Sequence, residues 1–210
     1  SEFDSDVDIT TTNGTLSKMT SSDNITWTGT FTPTDDSESS TNSLTLSNNY
    51  TDIVGNGGIT ATTANFSVDT LTVSVTSFVL DDTSLIKGET ATVVLVFSEA
   101  VSGFDSNADI TVQNGVLSQM TTTDNSSWSG TFTPTDDIDD TTGLLTLADT
   151  YTDVAGNTGV SATTATFGVD TKLPTVVTFA LANSSLSSGS TTTVSLVFSE
   201  AVSGFNSNDD

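Results

Sequence analysis

The stretch Phe97-Ser98-Glu99-Ala100-Val101-Ser102-Gly103-Phe104 shows how the chain is organised, because the same eight residues recur at 198–205. Trp27 likewise recurs as Trp128, which sets the offset at 101 residues (128 − 27 = 101). Further segments keep this offset without any insertion or deletion: 31–36 onto 132–137, 50–52 onto 151–153, and 68–70 onto 169–171. The chain is therefore a tandem repeat.

Apolar residues alternate with polar ones inside each repeat, as Val93, Leu95 and Phe97 do. A period of two with turn residues every 8–12 positions is typical of short β-strands. In the repeat with both ends present, we predict strands A to G near 73–80, 90–97, 109–113, 116–121, 128–132, 145–151 and 160–169. Asn114-Gly115 is the strongest hairpin signal, and no segment is predicted to be helical.

Seven short strands in about 100 residues predict tandem immunoglobulin-like antiparallel β-sandwiches arranged head to tail. The pattern predicts domain boundaries after Thr70 and Thr171. Residues 1–70 would then supply strands C to G of one domain, residues 71–170 a complete domain, and residues 171–210 strands A and B of another. Trp128 and Phe132 are expected to pack in the core and not to form a ligand platform.

The charge is extreme: 27 acidic residues and three basic ones give a formal net charge of −24. Nucleic acids and anionic membranes require a basic surface, so neither is an expected partner. No apolar run approaches the roughly 20 residues needed to cross a bilayer. Because the opening Ser1-Glu2-Phe3-Asp4 is acidic and not part of a hydrophobic leader, we expect a fragment or a mature region.

The composition also limits the chemistry. The chain has no cysteine and no histidine, which removes thiol catalysis, disulfides and zinc thiolate sites. Only Lys18, Lys87 and Lys172 could provide an amine base, and nearly every acidic residue lies in a repeated loop. We therefore expect no enzyme and no organic cofactor.

Acidic loops at the two ends of the predicted sandwich would meet where one domain follows another. At the first junction the upper end of one domain would bring Asp35, Asp36, Glu38 and Asp69. The lower end of the next would bring Glu99, Asp105, Asn107, Asp109, Asp124 and Asp153. The corresponding sets at the second junction are Asp136, Asp137, Asp139 and Asp170, facing Glu200, Asn206, Asn208 and Asp210.

Oxygen ligands of this kind suit calcium, which takes six to eight of them in irregular geometry. Without His or Cys ligands, softer transition metals are disfavoured. The run Asp105-Ser106-Asn107-Ala108-Asp109 matches only the start of an EF-hand loop. The alternative for each acidic residue is a role in a turn or on a solvated surface. The sequence predicts calcium (Ca²⁺) between the domains.

The combination of Phe97–Phe104, the acidic run to Asp109, the turn Asp153-Val154-Ala155-Gly156-Asn157 and the Val-Asp-Thr boundary resembles the bacterial Ig-like repeats of giant surface adhesins. The resemblance covers the whole chain. It implies calcium-dependent extender domains that hold a distal binding region away from the cell. It also implies that five positions are ligands: Asp69, Glu99, Asp153, Asp170 and Glu200.

The leading functional hypothesis is thus an extracellular or cell-surface stalk segment whose partners are adjacent repeats or neighbouring copies, head to tail. One alternative is a binding module for glycan or ice, which would need an aromatic or flat threonine patch on an exposed sheet. Another alternative is a filament subunit whose partial domains are completed by strands of the neighbouring chain. The adhesion target is not encoded in any recognisable motif.

Overall fold

A computed structural model describes residues 2–206, and it consists almost entirely of short strands. Alternating polar and apolar residues give most strands one buried and one exposed face, as in Ala91–Phe97. We call residues 2–70 the first unit, 71–170 the second unit and 171–206 the third unit. Asn208 and Asp210, which the sequence placed at the second junction, lie outside the described residues.

The first unit contains a one-turn helix and seven strands. They are α1 (Ser5–Asp8), β1 (Ile9–Thr11), β2 (Gly14–Leu16), β3 (Phe31–Pro33), β4 (Glu38–Asn42), β5 (Leu44–Leu46), β6 (Ala61–Thr62) and β7 (Phe66–Asp69). They pair in the orders β1-β5-β6, β2-β3 and β4-β7.

The second unit contains counterparts of these elements together with additional strands. It contains β8 (Val75–Leu80), β9 (Ser84–Ile86), β10 (Ala91–Phe97), β11 (Val101–Ser102), α2 (Ser106–Asp109), β12 (Ile110–Val112), β13 (Gly115–Leu117), β14 (Thr121–Thr122), β15 (Ser127–Pro134), β16 (Asp139–Gly143), β17 (Leu145–Leu147), β18 (Thr152–Asp153), β19 (Ala162–Thr163) and β20 (Phe167–Asp170). The third unit contributes β21 (Val176–Leu181) and β22 (Val194–Phe198).

Two sheets enclose the core of the second unit. One has the order β13-β15-β10-β8, with β14 on β15. The other consists of two separate groups of hydrogen-bonded strands, in the orders β12-β17-β19 and β16-β20-β9. β10 supplies Val93, Leu95 and Phe97 to the core, and β15 supplies Phe132, all at most 3% exposed. The predicted all-β tandem sandwich is confirmed, as is core packing of Phe132; Trp128 packs half-buried against the same core.

The hairpin predicted at Asn114-Gly115 is wrong. Asn114 does adopt a positive φ of 59°, as a tight turn requires. However, β12 before it pairs with β17, whereas β13 after it pairs with β15 in the opposite sheet. A Cβ on Gly115 would lie 2.4 Å from the ring of Phe132, so the glycine allows the crossing chain to approach the core closely.

Three further details differ from the sequence prediction. A strand, β9, lies within the predicted A–B loop and pairs in parallel with β20, although only antiparallel pairing was expected. The predicted last strand is divided into β19 and β20. Finally, the predicted acidic loop contains α2, a single helical turn whose N-cap is Asp105. Such a short turn forms because the Asp105 carboxylate accepts from the Asn107 amide at 3.0 Å.

Candidate metal centre between the first and second units

The linker between the units is held by Thr70. Its amide donates to Ser37 O at 2.9 Å, and its hydroxyl donates to Thr34 O at 2.7 Å. Asp69, one residue earlier, ends β7 and lies opposite Glu38 of β4. These contacts hold the backbone of Asp69 at the end of the first unit that faces the second.

Glu99 follows β10 directly, where the chain turns away from the sheet. Ser98 secures this exit, because its amide donates to Ser74 O at 2.8 Å and its hydroxyl accepts from the Ser74 amide at 2.9 Å. Two residues beyond Glu99, Val101 of β11 lies opposite Asp153 of β18. The pairing of these short strands brings Glu99 and Asp153 to the same end of the second unit.

Asp153 organises the turn that follows it. One carboxylate oxygen accepts from the amides of Gly156 and Asn157 at 2.7 and 2.9 Å, and the other accepts from Asn157 Nδ2 at 2.7 Å. The residue is only 1% exposed. Burial acts to raise the pKa of Asp153, but these hydrogen bonds outweigh it and the pKa is lowered. Asp153 is therefore ionised at neutral pH.

The two units meet at these residues. One carboxylate oxygen each of Asp69, Glu99 and Asp153 lies within 4.8 Å of the others. Asn157 Nδ2 also donates to Asp69 O at 3.2 Å, which joins the turn of the second unit to the linker. We call Asp69, Glu99 and Asp153 the junction triad.

The electrostatics of the junction triad are unfavourable without a cation. Burial, followed by the charges of Asp153, Asp69 and Glu38, raises the pKa of Glu99 above its ordinary value of 4.5. The ion pairs found among residues 2–206 lie elsewhere: Lys18 with Asp4 and Asp6, and Lys87 with Asp136. A bound cation would relieve this repulsion.

Other predicted ligands of the second unit make local hydrogen bonds. The buried Asp109 accepts from the Asp105 amide at 2.8 Å and from the hydroxyl of Thr150. The carboxylate of Asp124 caps its own loop, where the amides of Ser127 and Ser126 lower its pKa to about 2. These residues do not join the junction triad.

The remaining predicted ligands are dispersed over the described part of the chain. Asp35 and Asp36 form the exposed turn between β3 and β4, and Asp136 and Asp137 repeat that turn in the second unit. Asn107 is exposed within α2. Asp170 lies opposite Asp139 at the end of β20. Glu200 and Asn206 are exposed in the third unit.

Sequence reasoning omitted Asn157 from the ligand set, although its contacts span both units. The motif from Asp153 to Asn157 is the sequence signal that could have identified Asn157. Asp and Asn side chains in such turns commonly form hydrogen bonds within the turn, which fixes their orientation. Trp128 packs against the core, as predicted, and does not form a ligand platform. Its ring meets Phe104 edge-on at 4.8 Å, and its Nε1 donates to Asn125 O at 3.2 Å.

The raised pKa of Glu99 predicts a pH dependence in the absence of cations. A carboxyl whose pKa is higher in the folded state binds its proton more tightly there than in the unfolded state. Its contribution to stability is therefore complete below the ordinary value of 4.5 and is lost as the pH rises through the raised pKa. We expect Glu99→Gln to remove this loss, measured as the melting temperature in chelator between about pH 4 and pH 7.

Asp149→Asn is the matched control, because Asp149 is exposed and outside the junction triad. It should leave the pH profile between pH 4.5 and neutrality nearly unchanged. Identical profiles for Glu99→Gln and the unmodified protein would contradict the assigned repulsion. The lowered pKa of Asp153 acts at lower pH, since its contribution is lost as the pH falls below the ordinary value of 3.8.

Together, the tandem β-sandwiches, the short linker and the acidic contact between them define an immunoglobulin-like repeat protein. The chain belongs to the bacterial Ig-like domain family, whose model matches residues 1–68 and 69–169. None of the helices in residues 2–206 has the length and apolar character needed to cross a membrane.

The other comparisons add little. No curated protein sequence matches the chain. Among solved structures, a match is found to the Bacteroides ovatus mixed-linkage glucan utilization locus SGBP-B in complex with mixed-linkage heptasaccharide, at 16% identity and a TM-score of 0.23. The match covers 87% of this chain and 44% of that one. A TM-score this low supports no argument about fold or function.

Proposed function

We propose that this chain is a non-catalytic extender segment of a secreted or cell-surface bacterial protein of the adhesin type, and that calcium binding between its units stiffens it. The observation that carries the proposal is the junction triad, whose oxygens come from both units and lie within 4.8 Å of one another. No feature of a single isolated sandwich calls for three carboxylates at one end of a linker.

The donor chemistry fits calcium. Calcium–oxygen distances are about 2.3–2.6 Å, so two oxygens on opposite sides of one ion lie about 5 Å apart. The separations within the junction triad are compatible with that geometry. All three ligands are hard oxygen donors, and the chain has no histidine or cysteine with which to select a softer metal.

Stiffening would follow from where the ligands originate. Asp69 ends β7 of the first unit, whereas Glu99 follows β10 and Asp153 ends β18 in the second unit. An ion bound by all three would restrict bending between the units. With strands of about seven residues and loops at both ends, each unit would add roughly 40 Å to a rod.

Small-angle scattering of the full 210-residue chain tests this function. With saturating calcium we expect a longer and less variable particle than in chelator, together with a higher melting temperature. A ligand at about 100 times its dissociation constant stabilises the folded state by about 2.7 kcal/mol. The double variant Asp69→Asn/Glu99→Gln should lose both responses, whereas Asp149→Asn should keep them. An unchanged scattering profile and melting temperature on calcium addition would disprove the proposal.

A further inference from the structure

The pairing of β9 with β20 in the second unit is parallel, in contrast to the antiparallel pairings of β10 with β8 and β15. The register of this ladder runs from Ser84 opposite Gly168 to Ile86 opposite Asp170. The Gly168 amide adds a hydrogen bond at one end, donating to Thr83 O at 2.8 Å. The β9–β20 ladder therefore joins a segment near the beginning of the second unit to the last strand of that unit.

Tension along the chain would load the β9–β20 ladder from both sides. The first unit precedes the second unit and the third unit follows it, so tension enters near Leu71 and leaves near Thr171. β8 and β9 are the first strands after the entry, and β20 is the last strand before the exit. Parallel strands start at the same end of a sheet. Tension therefore pulls β9 from its N-terminal end and β20 from its C-terminal end, in opposite directions along the strands.

Opposite pulls along the strands are the loading that a ladder resists best. Hydrogen bonds between strands lie across the strand direction, so sliding one strand past the other strains all of them at the same time. A ladder that is pulled apart sideways from one end loses its hydrogen bonds one after another, and each step needs less force. The parallel orientation of β9 and β20 thus places their hydrogen bonds in the stronger arrangement.

Both strands of the ladder are also fixed to the body of the second unit. Leu85 of β9 and Val169, which lies opposite it in β20, are each 1% exposed and belong to the core. At the exit the Thr171 amide donates to Ile138 O at 2.8 Å, and its hydroxyl donates to Thr135 O at 2.7 Å. The end of β20 cannot lift away from the unit without breaking these hydrogen bonds.

We propose that the β9–β20 ladder is a mechanical clamp, which makes the second unit resist unfolding when the chain is pulled along its length. The clamp is independent of the acidic junction, since neither strand contains a residue of the junction triad. Its use rests on the proposed extender function, because a stalk transmits any tension that acts on the region it carries.

Pulling the second unit in two directions tests the clamp. The chain contains no cysteine, so handles can be attached at introduced cysteines. Leu71→Cys/Lys172→Cys loads the full chain at the entry and the exit. Val79→Cys/Val116→Cys instead loads β8 and β13, the outer strands of one sheet, at side chains that are 49% and 67% exposed, and pulls across the strands. We expect a higher unfolding force along the chain than across the strands, although both variants melt at the same temperature.

A matched pair of variants assigns the resistance to the β9–β20 ladder, since β8 is also drawn along its partner β10. Gly168→Pro removes the amide that donates to Thr83 O, whereas Gly168→Ala keeps it. A Cβ at position 168 has no neighbour closer than 3.9 Å, so alanine fits there. We expect Gly168→Pro to raise the unfolding rate along the chain about fivefold, the effect of one hydrogen bond, and Gly168→Ala to leave it nearly unchanged.

Both measurements are made in chelator, which separates the clamp from the proposed calcium function. An unfolding force along the chain that is no higher than the force across the strands overturns the clamp. Equal rates for Gly168→Pro and Gly168→Ala along the chain overturn it too, as does an equal effect of Gly168→Pro in both directions. A clamp confirmed in chelator, together with a scattering profile that calcium leaves unchanged, would reject only the calcium function.

Discussion

Replacing Phe132 by alanine is expected to lower the free energy of unfolding of the second unit by about 3–5 kcal/mol. Phe132 is fully buried, and its ring meets that of Phe167 edge-on at 5.1 Å. It also covers Gly115, where the chain crosses between the sheets. Removal of the ring would leave a cavity that the two sheets cannot close, since both are held by their hydrogen-bonded ladders.

Urea unfolding of the full chain, followed by the fluorescence of Trp128 in a Trp27→Phe background, measures this loss. Phe31→Ala is the matched control, because Phe31 is the repeat counterpart of Phe132 but is only half-buried. Its effect on the first unit, followed by the fluorescence of Trp27 in a Trp128→Phe background, should be smaller. A change below about 1 kcal/mol for Phe132→Ala would contradict the central position given to this residue.

Replacing Asp153 by alanine is expected to destabilise the second unit by about 1–3 kcal/mol, even in chelator. The substitution leaves the amides of Gly156 and Asn157 without the carboxylate that they contact at 2.7 and 2.9 Å. It also frees the Asn157 side chain, which contacts the linker at Asp69. The loss is therefore expected both in stability and in the rigidity of the junction.

Thermal unfolding in chelator and in calcium separates the two roles of Asp153. The loss seen in chelator reports the turn, reduced by the relief of repulsion on Glu99, and any further loss in calcium reports a ligand. Asp52→Ala provides the comparison, because Asp52 makes corresponding bonds in an exposed position and should have the smaller effect. Equal effects of the two substitutions would show that burial of Asp153 is unimportant.

The alternation of apolar and polar residues predicted β10 and its buried face correctly. Successive side chains of a strand point to opposite faces of the sheet, so this pattern can be recognised within one short segment. Val93, Leu95 and Phe97 are buried as the pattern indicates. Strand pairing over long separations is different. Asn114 forms the expected turn, but the pairing of β12 with β17 and of β13 with β15 shows that the chain crosses to the other sheet there. For the same reason, the parallel pairing of β9 with β20 could not be predicted locally.

For the candidate site, too, the sequence predicted part of the result and the tertiary structure was needed for the rest. The alternation of loops between two ends of a sandwich placed Asp69, Glu99 and Asp153 in the predicted junction set by topology alone. It placed Asp105, Asp109 and others there equally, because a sequence does not show which carboxylates already have partners. The structure separates them: Asp109 accepts hydrogen bonds within its own motif, whereas the junction triad converges across the linker.

The sequence by itself thus determined the repeat, the all-β sandwich and the acidic ends, since each depends on composition, spacing or alternation within one strand. Only the tertiary structure decided which acidic residues meet, how Asn157 spans the junction, and where the chain crosses between the two sheets at Gly115. These features depend on contacts between residues far apart in the chain, and their energies are set by burial and by neighbouring charge.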